Sequence, residues 1–441
     1  MSSEKISPNE KIVVGLDIGT TKICAIVGKR NEYGKINILG VGKSHSAGVS
    51  RGVVVNIEKT VQAIREAIEE AEKHSGIKIE VVHVGIAGEH VRSMQHKGII
   101  TLNNPDFEIT QSDVNRLHED MFKIATQPGT EIIHVLPQEY TVDNQSGIID
   151  PIGMSGVRLE GNFHCVTGQT TAANNIYKCV VRAGLEVAEL ILEPLASSAA
   201  VLTEEEKEAG VCLVDIGGGT TDIAVFENNI IRHTAVIPFG GNIVTDDIKH
   251  GCKVMKKHAE LLKIQYGSAL AEAVYEDVVI SIPGPRDRSA KEIHKSMLAQ
   301  VIQSRMEEIM EFVVAEIKNS GYEDKLVAGI VVTGGGSQLQ NMKECVEYVT
   351  GIDTRIGLPG EHLASGLVDE VNFPMYATGT GLVIMGLEAQ ELAPVRASGR
   401  GESTMQYQRV GAGAAGPRIS FIDKVKTWFE STLTNTGDFI E

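Results

Sequence analysis

The sequence predicts an α/β fold built from two related halves, and three glycine-bearing stretches predict it. Ile12-Val13-Val14-Gly15-Leu16-Asp17-Ile18-Gly19-Thr20-Thr21-Lys22 leads into Ile23-Cys24-Ala25-Ile26-Val27. Leu213-Val214-Asp215-Ile216-Gly217-Gly218-Gly219-Thr220-Thr221-Asp222 leads into Ile223-Ala224-Val225-Phe226. Each copy is an apolar run, an aspartate, a glycine turn with paired threonines and a second apolar run, which reads as a β-hairpin. The third stretch, Ile330-Val331-Val332-Thr333-Gly334-Gly335-Gly336-Ser337-Gln338, is a strand entering another glycine turn, with helical spacing from there to about Val349.

The chemistry of these turns points to a nucleotide. Gly19 and Gly217, Gly218 and Gly219 let backbone N–H groups approach an anion with no Cβ in the way. Thr20, Thr21, Thr220 and Thr221 add hydroxyl donors, and Lys22 adds a point charge suited to a β- or γ-phosphate. Asp17 and Asp215 stand at the mouths of the turns, where they suit Mg²⁺, a cation that takes carboxylate, water and phosphate oxygens. Gly334, Gly335 and Gly336, with Gln338 behind them, offer flat backbone for a purine or ribose. Two turns for phosphates and one for a nucleoside form one consistent set.

With these motifs in place, the chain resembles the actin-like ATPase superfamily. Within it, the segments Gly15–Lys22, Gly168–Leu202, Asp215–Asp222, Gly240–Gly267, Gly329–Gln338 and Tyr376–Gly386 are similar to the FtsA family of bacterial cell-division proteins. The resemblance implies duplicated ribonuclease H-like domains with an inserted α+β subdomain, bound ATP and Mg²⁺, and self-association into polymers. It also implies capture of the C-terminal peptide of FtsZ, recruitment of later division proteins and a peripheral position on the cytoplasmic face of the membrane at the division site. Further, it implies that Glu260 and Lys263, an acid–base pair at helical spacing, meet the ribose hydroxyls and the adenine edge. For FtsZ it points to Arg305, with Arg286 and Arg288 in the loop before it.

The bounds agree with that reading. A chain of 441 residues holds several domains, and 42% hydrophobic with 22% charged residues are globular values. A net charge of −17 argues against a nucleic-acid function, which needs a basic face. The six cysteines are scattered without a CxxC pair, so neither a zinc site nor a disulfide framework is expected. The polar N-terminus carries no signal peptide and no run is long enough to span a bilayer, so a cytoplasmic protein is expected.

In chain order, residues 10–88, completed by 168–202 and 368–388, are expected to form the first actin-like domain. Thr60–His74 has the apolar spacing of an amphipathic helix, and Val81–Ala87 reads as a strand. Residues 89–167 read as the insertion, with strands at Gly98–Leu102, Ile132–Val142 and His164–Val166 and a helix over Thr110–Ile124 opened by Thr110 and Asp113. His134 and His164 read as structural. Residues 203–242 with 325–367 form the second domain, and 243–324 its smaller part. There a helix is expected near Thr245 and another over Ser289–Ser320, facing inward with Ile293, Met297, Val301, Ile302, Ile309, Phe312 and Val313. The small-residue stretches Glu193–Leu202 and Tyr376–Gly386 suit either an interdomain hinge or a close-packed core.

From about Glu388 the periodicity stops, and residues 389–417 read as a flexible linker rich in Gly, Ala, Ser and Arg. Residues 418–433 then place Phe421, Ile422, Val425, Trp428 and Phe429 on one helical face, flanked by Lys424 and Lys426. Lysines there can reach lipid phosphates while the apolar face enters the bilayer surface, so this segment is expected to be a membrane-targeting amphipathic helix. One short helix anchors reversibly, and a polymer would multiply the contact. The helix after Gly168 offers Gln169, Asn174, Asn175 and Lys178 but no acid to orient an attacking water, so at most slow ATP hydrolysis is expected. Alternatives of the same fold are a small-molecule kinase, which needs a carboxylate base and an acceptor pocket, and a pilus-assembly ATPase.

Overall fold

A computed structural model describes residues 11–102, 108–283, 290–364 and 367–392. Arg286, Arg288, nearly all of the linker and the whole amphipathic segment, including Phe421, Ile422, Lys424, Val425, Lys426, Trp428 and Phe429, lie outside the described residues.

Two five-stranded sheets repeat one topology. In the first, Ile36–His45, Lys22–Arg30 and Ile12–Ile18 run as an antiparallel meander, and Val81–Ile86 and Glu186–Leu192 extend it in parallel. In the second, Ile230–Ile237, Thr221–Glu227 and Val211–Ile216 form the meander, and Ile330–Thr333 and Thr354–Ile356 the parallel extension. The central strands are apolar along nearly their whole length because helices cover both faces. Asp17 pairs across its hairpin with Cys24, and Asp215 across its own with Asp222.

Local chemistry sets the helix ends. The first helix, Ile57–Ser75, is opened by Asn56, whose side chain accepts from the Lys59 N–H at 3.0 Å, and closed by Gly76 at φ 69°. It buries Val61, Ile64 and Ile68, the stripe its spacing predicts. In the insertion, Thr110 donates through its N–H to Asp113 at 3.0 Å and opens Gln111–Met121, a turn shorter than expected. That helix packs Leu117 against Leu159 and Phe163 on a separate four-stranded antiparallel sheet. Hydrogen bonds tie the insertion to the outer strand of the second sheet. Ser93 donates to the Thr234 carbonyl at 2.8 Å, Gln138 to that of Ile231 at 2.7 Å, and His164 Nε2 lies 2.8 Å from the Thr234 hydroxyl.

Three boundaries and one buried face differ from the sequence reading. The helix expected near Thr245 begins at Gly241, because the N–H groups of Gly241 and Asn242 bond back to the carbonyls of Gly217 and Gly218 at 2.9 and 2.8 Å. Within the expected long helix, Lys291–His294 is instead a strand paired with Val279–Ile282, which buries Ile293 opposite Ile280, and the helix starts at Lys295. Met297 and Phe312 are exposed on it, Phe312 against the Phe239 ring, and Leu298, Met306, Met310 and Ile317 are buried in their place. The last helix, Ala377–Leu392, runs four residues into the expected linker. Its end is pinned by Arg30 with Glu391 at 2.9 Å and by Lys11 with the Gln390 carbonyl at 2.8 Å.

The two small-residue helices, Glu193–Val201 and Ala377–Leu392, cross between the sheets. A Cβ on Gly381 would land on the Ala196 carbonyl, so this crossing tolerates no larger residue. Among the described residues no helix is long and apolar enough to cross a membrane.

Candidate nucleotide site

The three glycine stretches converge on one cleft of about 530 Å³ between the sheets. Asp17, Gly19, Thr20, Thr21 and Lys22 line it from the first sheet, and Asp215, Gly217, Gly218, Gly219 and Thr220 from the second. Gly334, Gly335, Gly336 and Gln338 line it beside Glu260 and Lys263. Thr221 does not reach it. That residue begins the outgoing strand, is fully buried, and donates its hydroxyl to the Phe239 carbonyl at 2.9 Å, a structural bond. The hairpin tips touch, since a Cβ on Gly218 would strike the Thr21 hydroxyl and one on Gly219 would come within 2.6 Å of the Thr20 hydroxyl.

The facing carboxylates are held differently. Asp17 accepts from the Lys22 ammonium at 2.7 Å. Burial works against that ammonium, yet Asp17 outweighs it and holds the amine above its ordinary pKa. Asp215 has no cation; Ser197 donates to it at 2.5 Å and Thr378 at 3.3 Å, one hydroxyl from each crossing helix. Burial pushes Asp215 up, and these hydroxyls only partly offset it. Burial and then Asp215 push Asp222 up to about 8. Its Oδ2 accepts from Thr220 at 3.0 Å, while its Oδ1 is buried and unbonded.

Sequence reasoning missed Glu193. The helix searched for a water-orienting group, Thr170–Ala183, does not line the cleft, and Gln169 opens into a different cavity. The fourth cleft carboxyl is Glu193, the first residue of the crossing helix. Burial pushes it well above the usual carboxylate range, with Asp17, Asp222 and Asp215 adding to the effect. An acid directly before a proline at a strand-to-helix junction was the available signal.

This carboxyl-rich cleft fits a divalent cation. Asp17, Glu193, Asp215 and Asp222 all line it, and a cation relieves their mutual repulsion. No group of three potential ligands is preassembled among the described residues, which suits Mg²⁺, because it keeps water and phosphate oxygens as ligands. On the nucleoside side, Glu260 accepts from Thr245 at 2.5 Å and from Lys263 at 2.9 Å. Lys263 also donates to the Gly241 carbonyl at 2.9 Å. The pair is therefore fixed before any ligand arrives. Gly335 has nothing within 4 Å of its open side, whereas Gly334, at φ 81°, packs directly on the Asp215 carboxylate.

Arg305 is less available than the sequence suggests. Its guanidinium is half-buried and bonded to Asp247 at 2.5 and 3.2 Å and to Glu308.

A duplicated sheet, facing carboxylate hairpins and a third glycine turn define an actin-like ATPase. In line with this, MreB5 of Spiroplasma citri bound to ADP shares the fold at TM-score 0.51 and 15% identity, over 85% of this chain and 96% of that one. The structure of the PilM-PilN type IV pilus biogenesis complex does so at TM-score 0.62 and 15% identity, over 85% and 98%. Sequence models narrow the assignment: the cell division protein FtsA model matches residues 212–381, and the model of the SHS2 domain inserted in FtsA matches 88–167. Cell division protein FtsA of Pseudomonas aeruginosa is 43% identical over 96% of this chain and 98% of its own length, and that of Neisseria meningitidis 39% identical over 96% and 99%. The chain belongs to the FtsA family of bacterial cell-division proteins, which are ATP-binding and at most slow ATPases.

Proposed function

We propose that the chain binds one Mg–ATP between its two large domains, self-associates, and links FtsZ to the cytoplasmic face of the membrane at the division site while recruiting later division proteins. What carries this reading is the convergence of Asp17, Asp215 and the Gly334–Gly336 turn on one cleft. In it, Lys22 and the tip N–H groups hold phosphates, Asp17 and Asp215 hold the hydrated metal, and Glu260 and Lys263 face the ribose and adenine. Bound metal supplies charge neutralisation for the phosphates. Glu193 is the group that faces the attacking water. ATP turnover at this site is slow at most. Rapid multiple turnover by purified monomer would contradict this.

Because Ser197 and Thr378 connect Asp215 to both crossing helices, metal binding and the interdomain angle are coupled. The amphipathic segment 418–433 supplies the lipid contact, and an acidic FtsZ peptide competes with Asp247 and Glu308 for Arg305. The test is co-sedimentation with liposomes, ATP and FtsZ. The full chain is expected to bring FtsZ down with the lipid, and a chain lacking residues 418–441 is expected to leave both it and FtsZ in the supernatant. Unchanged sedimentation would remove the membrane role and favour the pilus-type alternative.

A further inference from the structure

Behind the hairpin tips lies a second cavity, of about 690 Å³, that the nucleotide reading does not use. Ser50 and Arg51 line it from the first domain, His90, Arg92 and Gln169 from the insertion and its exit strand, and Val236 and Pro238 from the second domain. Three parts of the chain therefore meet around one opening.

Two arginines outnumber the single acid of its lining, and the lining is incompletely paired. His90 is 7% exposed, and neither ring nitrogen has a hydrogen-bond partner. A buried imidazole without a partner is costly, so a ring turn that brought a nitrogen to a ligand atom in the cavity would be favoured. Arg51 meets only Glu89, at 3.7 Å, with both side chains half-exposed. Arg92 spends one nitrogen on the Glu89 and Val91 carbonyls. Among the described residues Glu89 is the one acid in the lining, set against two guanidiniums, and burial holds His90 below its ordinary pKa as a neutral ring with one N–H to give.

Arg51 also ties this cavity to the nucleotide cleft. It holds φ 48°, a left-handed conformation uncommon for a residue with a side chain. A Cβ on Gly219 would come within 3.0 Å of the Arg51 Cα, and the next residue, Gly52, donates its N–H to the Thr20 hydroxyl at 3.2 Å. On the other side, a Cβ on Gly88 would come within 3.0 Å of the Arg51 carbonyl and 2.9 Å of the His90 Nδ1. The Arg51–Gly52 turn is thus wedged between both hairpin tips and the edge of the insertion.

We propose that this cavity is a small-oxyanion site of the phosphate class, bound by Arg51, Arg92 and His90 and separate from the nucleotide site. An oxyanion takes the long Arg51–Glu89 contact's place, gives His90 a partner and joins the insertion to the turn that braces the tips. Occupancy therefore stiffens the relation between the insertion and the two large domains.

The test uses the full-length protein saturated with Mg–AMPPNP, so that the nucleotide cleft is filled, and titrated with inorganic phosphate. Calorimetry measures binding, and imidazole nitrogen resonances report His90, identified by their loss in His90→Gln. Saturable binding that moves the His90 signals is expected. Arg51→Asn, chosen because asparagine tolerates the left-handed turn, should weaken it at least fivefold. Arg92→Gln should act in the same direction and covers the case in which the turn variant misfolds. The proposal is overturned if binding is not saturable, if AMPPNP abolishes it, which would put the ion in the nucleotide cleft, or if folded Arg51 and Arg92 variants bind as tightly as the parent.

Discussion

The two carboxylate hairpins have the same topology and opposite electrostatics. In the first, Lys22 cancels Asp17 at 2.7 Å, so the tip presents donors and no net negative charge. In the second, Asp215 has only hydroxyl partners and stands across the hairpin from Asp222. The two halves share their geometry and differ in charge. The first hairpin brings its own cation for phosphate beside its metal carboxylate, and the second brings the carboxylate without one.

This contrast breaks most sharply under paired substitution. Asp215→Asn should weaken Mg–ATP binding a hundredfold or more, about 2.7 kcal/mol, and leave metal-free ATP binding nearly unchanged. Lys22→Ala should weaken both by roughly tenfold, about 1.4 kcal/mol. Equilibrium titration of a fluorescent ATP analogue with and without Mg²⁺ measures all four values, and equal metal sensitivity in the two variants would erase the distinction.

The third turn sharpens it through two adjacent glycines. Gly334→Ala forces a Cβ onto Asp215 at a positive φ and should cost about 1–3 kcal/mol of stability, seen as a lower Tm. Gly335→Ala meets no protein atom and should leave Tm unchanged while lowering nucleotide affinity. Smaller again, Ser197→Ala removes one hydroxyl from Asp215 and should cost about 1 kcal/mol in Mg–ATP affinity. An equal loss without Mg²⁺ would show a merely structural role.

The latch between insertion and second half should depend on pH. Burial pushes His164 down to about 4, so across the window from its ordinary value of 6.5 to about 4 the unfolded chain binds a proton that the folded chain refuses. Stability present above that window is therefore lost as pH falls through it. His164→Gln should flatten the acid limb of Tm against pH, and an unchanged limb would assign the acid sensitivity elsewhere. The smallest effect concerns FtsZ: Asp247→Asn should leave Arg305 held by Glu308 alone and tighten an acidic FtsZ peptide a few-fold in fluorescence anisotropy, while Arg305→Ala weakens it.

Much of this was legible in the sequence because three glycine turns, two with the same aspartate and threonines, recur in one chain, where a single such turn has many other uses. The two hairpins, the third turn and the first helix could be read from local pattern alone. What could not be read depends on contacts across the chain. Thr221 belongs to the same motif as Thr220, and only the Phe239 carbonyl decides that it turns inward. Glu193 lies outside all three glycine motifs, and its role depends on where the helix it begins crosses. Ile293 fits a helical stripe until Ile280 is seen opposite it in a strand. Arg305 carries the expected charge, but Asp247, on a neighbouring helix, already occupies it.

The central claim is that Asp17 and Asp215 share one magnesium nucleotide, and a double-mutant cycle on Mg–ATP affinity tests it most directly. Asp17→Asn, Asp215→Asn and the double variant are each measured by equilibrium titration at fixed Mg²⁺. Each single variant should lose affinity, and the double variant should lose less than the sum by at least about 1 kcal/mol, as for two groups holding one ion. Strictly additive losses, or a single variant that binds as tightly as the parent, would mean that the two carboxylates do not serve a common metal.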